Sequence, residues 1–226
     1  MTKLSKGESR LRQRKSVFIV EDHPVFREGL VQIINREADL LVGGQASTAE
    51  EGLRDIIGGK PDVALVDINL PGKSGLELIR SLRKVDSQIK ILVVSMHEEA
   101  LYADRVLRAG GDGYVMKDED PSEIVHAIHA MLNGHLHVSE KVFESGRKAG
   151  VKKLTAAKAR PLDRLTDTQL MILELLAQHQ SQKAIAQELH LSGRSVESQC
   201  VQIKRAWGLK SHSELVRRAE LSVKRA

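Results

Sequence analysis

The segment that decides the fold spans residues 61–72 and reads PDVALVDINLPG. Its four consecutive apolar residues, Val63 to Val66, lie between turn-forming residues, a pattern typical of a short strand that is buried on both faces of a sheet. Asp67 follows the last apolar residue directly, and a Pro-Gly pair then marks a loop. The segment therefore predicts a parallel strand that presents an accessible carboxylate at its carboxyl end.

Four further apolar runs flank this segment, and stretches with helical periodicity separate all five runs. The predicted strands are Val17 to Val20, Leu40 to Val42, Val63 to Val66, Ile91 to Val94 and Gly113 to Met116. Helix-start signals include a candidate capping box formed by Ser47 and Glu50, and an N-cap at Asp120 before Pro121. Because parallel strands are joined by helical crossovers, the alternation predicts an α/β fold with a five-stranded doubly wound parallel sheet.

Charge and composition divide the chain into four segments. Residues 17–140 carry a net charge of −9, whereas residues 1–16 and 141–160 carry +5 and +6. We interpret the segments as a basic N-terminal extension (1–15), the α/β domain (16–140), a basic linker (141–161) and a second, smaller all-α domain (162–226). Basic runs are usually solvated segments, and contact with a polyanion such as DNA is the alternative interpretation.

The bulk composition excludes several classes of protein. Hydrophobic residues make up 41% and charged residues 29%, a balance too apolar for a disordered chain. No apolar run approaches the roughly 20 residues that a membrane-spanning helix needs. Met1 to Lys15 has no apolar stretch after its charges, unlike a secretory signal peptide, and the single Cys200 excludes an internal disulfide. We therefore expect a cytoplasmic protein that does not bind membranes.

Acidic residues follow two of the predicted strands. Glu21 and Asp22 come directly after the first strand, and Asp67 comes after the third. Because open parallel sheets bind ligands at the carboxyl ends of their strands, these side chains should meet at one edge. Three carboxylates would repel one another unless a cation lies among them, and oxygen ligands of this kind suit Mg²⁺. The sequence therefore predicts a Mg²⁺ site.

Asp67 also has a chemical role available to it. A carboxylate can act as a nucleophile towards phosphorus and form an acyl phosphate. Ser95, after the fourth strand, can donate a hydrogen bond to one phosphoryl oxygen, and Lys117, after the fifth, can neutralise another. Taken alone, these residues are more often a helix N-cap, a turn residue and a solvated lysine. Their conjunction at the strand ends favours phosphoryl transfer.

The segments around these residues resemble the receiver domains of two-component response regulators. They are Val20 to His23, Ala64 to Gly72, Val94-Ser95 and Gly113 to Lys117. The resemblance covers residues 16 to about 138 and implies a flavodoxin-like fold. It also implies a sensor histidine kinase as the phosphoryl donor. Such a protein catalyses only its own phosphotransfer and slow dephosphorylation, so it is not an enzyme in the usual sense.

The same resemblance implies a role for each site residue. Glu21, Asp22 and Asp67 become the metal ligands, and the main-chain carbonyl of Asn69 completes the share of the metal shell that the protein provides. Asp67 is the phosphoacceptor, Ser95 is the switch hydroxyl, Lys117 is the phosphate partner, and Tyr114 is the aromatic residue whose ring turns inward when Ser95 moves.

Residues 163 to about 220 resemble the LuxR/NarL type of helix-turn-helix. Four helices are predicted, with start signals at Thr166, Ser181 and Ser211 and a break before Arg194. The matching positions include Leu165-Thr166, Leu173, Leu175 to Ala177, Ser181, Lys183, Ile185-Ala186, Leu189, Ser192, Val196, Ile203, Gly208 and Glu214 to Val216. The resemblance implies binding to paired promoter half-sites and a homodimer in the phosphorylated state.

Helical periodicity separates the two faces of the third helix in this domain. Four residues share one narrow sector and should face the domain core. They are Val196, Cys200, Ile203 and Trp207. The opposite face and its flanks should contact DNA bases and phosphates. The candidate DNA-binding residues are Lys183, Arg194, Ser195, Glu197, Ser198, Val201, Gln202, Lys204, Arg205 and Lys210.

The third helix departs from the family pattern. Ser195 to Gln199 reads Ser-Val-Glu-Ser-Gln where the family usually has Thr-Val-Lys-x-His, so Glu197 replaces a base-contacting lysine. Glu197 can accept a hydrogen bond from cytosine, but it also places a negative charge near phosphates. Two functions therefore stay open: a phosphorylation-controlled transcription regulator, and a signalling adaptor whose degenerate helix-turn-helix binds a protein partner. A carboxylate-nucleophile phosphatase is disfavoured, because such enzymes need an acid at the position of Asn69.

Overall fold

The computed structural model describes residues 14–139, residue 142 and residues 161–223. The predicted extension (1–15) up to residue 13, and the predicted linker (141–161) apart from its residues 142 and 161, lie outside the described residues. Within the described part of the chain, none of the helices combines the length and the hydrophobicity that crossing a bilayer requires.

Five parallel strands form one sheet, as predicted. They are β1 (Lys15–Val20), β2 (Leu40–Ala46), β3 (Val63–Val66), β4 (Lys90–Ser95) and β5 (Gly113–Met116). The order across the sheet is β2-β1-β3-β4-β5, and every neighbouring pair is parallel. β2 extends beyond the predicted Val42, through Gly43 and Gly44, because Gly44 leaves room for the ring of Phe18 on β1. The predicted α/β fold class is confirmed.

Five helices cover both faces of this sheet. They are α1 (Pro24–Arg36), α2 (Ala49–Gly59), α3 (Gly75–Val85), α4 (Glu99–Ala109) and α5 (Pro121–Leu132). Leu30 of α1 and Ile128 of α5 belong to one buried cluster, while Ile79 of α3 and Val106 of α4 belong to the other. The sheet is therefore doubly wound, and its carboxyl edge is left for the loops that carry the site.

The predicted capping box at Ser47 and Glu50 was wrong by one residue. The N-cap of α2 is Thr48, whose side chain accepts a hydrogen bond from the Glu51 main-chain nitrogen at 3.2 Å. Ser47 instead donates its own main-chain N–H to the Glu51 carboxylate at 3.3 Å. Because β2 continues to Ala46, Ser47 is the turn residue between strand and helix, and only Thr48 is placed to cap.

A helical domain follows. After a short 3-10 helix (Pro161–Arg164) come α6 (Asp167–Ala177), α7 (Gln182–Glu188), α8 (Gly193–Trp207) and α9 (His212–Val223). Thr166 and Gln169 form the predicted capping box at the start of α6, and Ser181 caps α7. Cys200 is buried on the inner face of α8, and this burial raises the pKa of its thiol, so it is a packing residue.

Candidate phosphoacceptor and metal site

The predicted site residues lie together at the carboxyl edge of the sheet. Val20 pairs with Val66 in the register of β1 and β3, so the residues that follow these strands are neighbours. Ligand atoms of Glu21, Asp22, His23 and Asp67 all lie within 4.8 Å of one another. His23 directly follows Asp22, and its sequence context predicts no role for it. The structure therefore adds an imidazole to the three predicted carboxylates.

Lys117 joins two of these carboxylates. Its Nζ lies 2.8 Å from Asp67 Oδ2 and 2.7 Å from Glu21 Oε2, and the three side chains are almost fully buried. Burial lowers the pKa of Lys117, but the two carboxylates offset it and raise the pKa above its usual value. Burial and the Asp67 charge raise the pKa of Glu21. The Lys117 ammonium group therefore pairs with two buried carboxylates, those of Glu21 and Asp67.

The donor set fits a divalent cation. Among the described residues, Asp22 Oδ1 is buried without a hydrogen-bond partner, although His23 Nδ1 lies 3.1 Å away. Lys117 compensates only part of the negative charge of Glu21, Asp22 and Asp67. A hard cation with oxygen ligands would use the unpartnered oxygen and remove the remaining repulsion.

The two predicted switch residues are linked through His97. The Ser95 side chain is fully buried, and its Oγ accepts a hydrogen bond from the His97 main-chain nitrogen at 3.3 Å. The Tyr114 hydroxyl donates to the His97 carbonyl oxygen at 2.8 Å, and only 3% of Tyr114 is exposed. The Tyr114 ring is thus already inside the domain in this structure. Sequence reasoning gave no role to His97, because a lone histidine after a strand carries no signal of its own.

We expect Gly75→Ala to disturb the site through the main chain of Asp67. Gly75 begins α3, and an added Cβ would overlap the main-chain carbonyl oxygen of Asp67, the residue directly after β3. The free energy of unfolding should fall by about 1–3 kcal/mol, as for other overpacked positions.

The matched control is Gly29→Ala in α1, where nothing lies within 4 Å of the new Cβ. That change should raise the free energy of unfolding by about 0.5–1 kcal/mol, because alanine loses less entropy than glycine on folding. Urea denaturation of both proteins measures the difference. Equal shifts would contradict the close packing of α3 on Asp67.

The candidate DNA-binding residues lie on the surface of the helical domain. Lys183 is exposed on α7, Lys210 is exposed between α8 and α9, and the other eight lie along α8. Five of these eight are exposed (Arg194, Glu197, Ser198, Gln202, Arg205), and three are half-buried (Ser195, Val201, Lys204). Gln169 of α6 holds two α8 side chains, since its Nε2 donates to Gln199 Oε1 at 3.0 Å and to Gln202 Oε1 at 3.1 Å.

Two family models match the chain, one for each part. The response regulator receiver domain matches residues 17–129, and the bacterial regulatory proteins of the luxR family match residues 163–219. The nitrate/nitrite response regulator protein NarL of Escherichia coli (strain K12) is 32% identical over 201 residues, which cover 88% of this chain and 92% of that protein. The transcriptional regulatory protein DesR of Bacillus subtilis (strain 168) is 30% identical over 205 residues, covering 91% and 96%.

A solved structure agrees with these relatives. The crystal structure of a two-component response regulator of the LuxR family from Aurantimonas sp. SI85-9A1 matches with a TM-score of 0.56 at 34% identity, covering 62% of this chain and 99% of that chain. Both resemblances seen in the sequence are thereby confirmed. The chain belongs to the LuxR/NarL family of two-component response regulators.

Proposed function

We propose that Asp67 accepts a phosphoryl group from a sensor histidine kinase, and that its phosphorylation state controls how residues 162–226 bind DNA and regulate transcription. The observation that carries the proposal is the Asp67 carboxylate, which lies between Lys117 and the acidic cluster at the carboxyl edge of the sheet. Glu21, Asp22, Asp67 and the main-chain carbonyl of Asn69 would hold Mg²⁺. The cation would neutralise part of the charge on the phosphoryl donor.

Two contacts of the Asp67 carboxylate support this role. One carboxylate oxygen is held by Lys117 at 2.8 Å, and the other accepts the Asn69 main-chain N–H at 3.2 Å, so its orientation is fixed before the reaction. A bond forms from an Asp67 oxygen to phosphorus while the bond from phosphorus to the donor histidine nitrogen breaks. Lys117 stabilises one phosphoryl oxygen, and the Ser95 hydroxyl donates to another after moving towards it. Slow hydrolysis of the acyl phosphate returns the protein to its starting state.

The helical domain would bind the DNA. Basic and polar side chains along α8 are accessible to a major groove, and Lys183 and Lys210 flank them as phosphate anchors. Two copies of the phosphorylated chain would read paired half-sites. The adaptor alternative is not favoured, because the luxR-family match covers residues 163–219 of the helical domain, including all of α8.

Selection from random DNA tests this function. The full-length chain, phosphorylated with acetyl phosphate and Mg²⁺, is expected to enrich a sequence with two-fold symmetry from a pool of random duplexes. The unphosphorylated chain is expected to enrich the same sequence more weakly. Binding should weaken steeply as salt rises, because phosphate contacts release counterions. No enrichment by either form at low salt would contradict a DNA-binding output.

We expect Glu197 to contribute to base specificity. Glu197→Ala should lose about 1–3 kcal/mol of discrimination at one base pair of the selected site, the range for one good base contact. Affinity for unrelated DNA should not fall, because the substitution removes a negative charge near phosphates.

Binding of each protein to single-base variants of the site measures the effect. The control is Glu28→Ala, an exposed glutamate on α1 of the receiver domain, which should leave the base preferences unchanged. Identical base preferences in the Glu197→Ala and unmodified proteins would show that Glu197 does not read DNA.

A further inference from the structure

The helical domain covers the phosphoacceptor site. A cavity of about 290 Å³ lies between them, with Asp67 and Lys117 on one wall and Glu174 of α6 and Glu188 of α7 on the other. The Asn69 side-chain amide donates to the Glu188 carbonyl oxygen at 2.7 Å. A phosphoryl group on Asp67 would therefore enter a space that the helical domain also lines.

Glu174 is an acidic residue that is buried in this contact between the domains. Only 2% of it is exposed, and it is the single acidic residue in the buried run Gln169–Leu176 of α6. Its Oε2 lies 2.6 Å from His97 Nδ1, whose N–H donates, and its Oε1 accepts the Glu98 main-chain N–H at 3.4 Å. Glu174 is thus a buried carboxylate whose hydrogen-bond donors come from the receiver domain.

His97 connects Glu174 to the switch residues. Its main-chain nitrogen donates to Ser95 Oγ, its carbonyl oxygen accepts from Tyr114, and its ring stacks on Tyr102 with the centroids 4.7 Å apart. If Ser95 turns towards a phosphoryl oxygen, its hydrogen bond with His97 is lost. The ring nitrogen that holds Glu174 belongs to the same residue.

Charge opposes phosphorylation of the covered site as well. A phosphoryl group brings a charge of about −1.5 to −2, and Glu174 lies on the wall of the cavity that would receive it. Like charges in a poorly solvated space repel each other strongly. Because coupling between two equilibria is reciprocal, a contact that phosphorylation weakens must itself disfavour phosphorylation.

Given the proposed phosphorylation of Asp67, we propose that Glu174 is a positioning residue that slows this reaction. From the helical domain it holds His97, and through His97 it holds Ser95, in the arrangement of the unphosphorylated receiver. The contact between the domains covers the phosphoacceptor face and leaves the DNA-reading surface open. Arg194, Glu197 and Ser198 of α8 remain exposed while the two domains are in contact.

Glu174→Gln in the full-length chain tests this role. It preserves size and removes the charge. The rate of labelling by acetyl phosphate with Mg²⁺ should rise about tenfold, within the usual range of coupling between two sites. The matched control is Glu220→Gln, which alters another glutamate paired with a histidine, 3.3 Å from His179, within the helical domain itself. That variant should be labelled at the unmodified rate, and circular dichroism should show both variants folded.

Asp167→Asn separates positioning from simple covering of the site. Asp167 pairs with Arg80 at 2.9 Å and Arg105 at 2.8 Å, so it holds the domains together without touching His97. Small-angle scattering without Mg²⁺ measures how far each unphosphorylated variant opens. At the same degree of separation between the two domains, Glu174→Gln should be labelled faster than Asp167→Asn.

The outcomes are distinguishable from those for the proposed function. Equal labelling of the two variants at equal opening would overturn the positioning role, as would an unchanged rate in Glu174→Gln. Absence of labelling in every variant and in the unmodified chain would instead contradict the assignment of Asp67 as phosphoacceptor.

Discussion

Asp67→Asn is expected to abolish phosphorylation. When the unmodified chain and the variant are incubated with acetyl phosphate and Mg²⁺, the unmodified chain should gain one phosphoryl group and the variant none. The reason is chemical, because a neutral amide oxygen is a far weaker nucleophile than a carboxylate and cannot form an acyl phosphate. The mass of the intact protein measures the result.

The control for this experiment lies at the other end of the same strand. Asp62 precedes β3, accepts the Ser16 main-chain N–H at 2.9 Å and pairs with Lys15 at 2.7 Å. Asp62→Asn should be labelled like the unmodified chain, because the amino edge of the sheet is remote from the site. Labelling that persists in Asp67→Asn would refute the assignment of the phosphoacceptor.

Lys117→Gln is expected to reduce both phosphotransfer and stability. The labelling rate should fall about 100-fold or more, the usual loss when one preorganised charge or donor is removed from a transition state. The free energy of unfolding should fall by about 3–5 kcal/mol without Mg²⁺, because Glu21 and Asp67 lose their shared buried partner. Urea denaturation and labelling kinetics measure the two effects.

The stability that each protein gains from Mg²⁺ tests the electrostatic role of Lys117. The cation should restore more stability to Lys117→Gln than to the unmodified chain, since the variant has more uncompensated negative charge. The control is Lys15→Gln, whose ion pair with Asp62 is 50% and 36% exposed and should contribute less than about 1 kcal/mol. A Lys117→Gln protein as stable as the Lys15→Gln control would contradict the electrostatic role of Lys117.

Much of the fold could be predicted because its signals are local. Five short apolar runs separated by helical periodicity predict a parallel sheet, and the carboxyl ends of its strands must share an edge. The proximity of Glu21, Asp22 and Asp67 follows from that rule alone. Helix boundaries were less determined, as Thr48 shows: whether it or Ser47 caps α2 depends on where β2 ends, and β-pairing through glycines decides that.

The sequence by itself therefore determined the sheet, the order of the elements, and the edge where the carboxylates, Ser95 and Lys117 meet. Only the tertiary structure brought Glu174 to His97, which lies 77 residues earlier in the chain. The physical reason is that periodicity and capping act over a few residues, whereas a contact between two domains depends on how their surfaces fit. Neither residue carries a local pattern that would predict its partner.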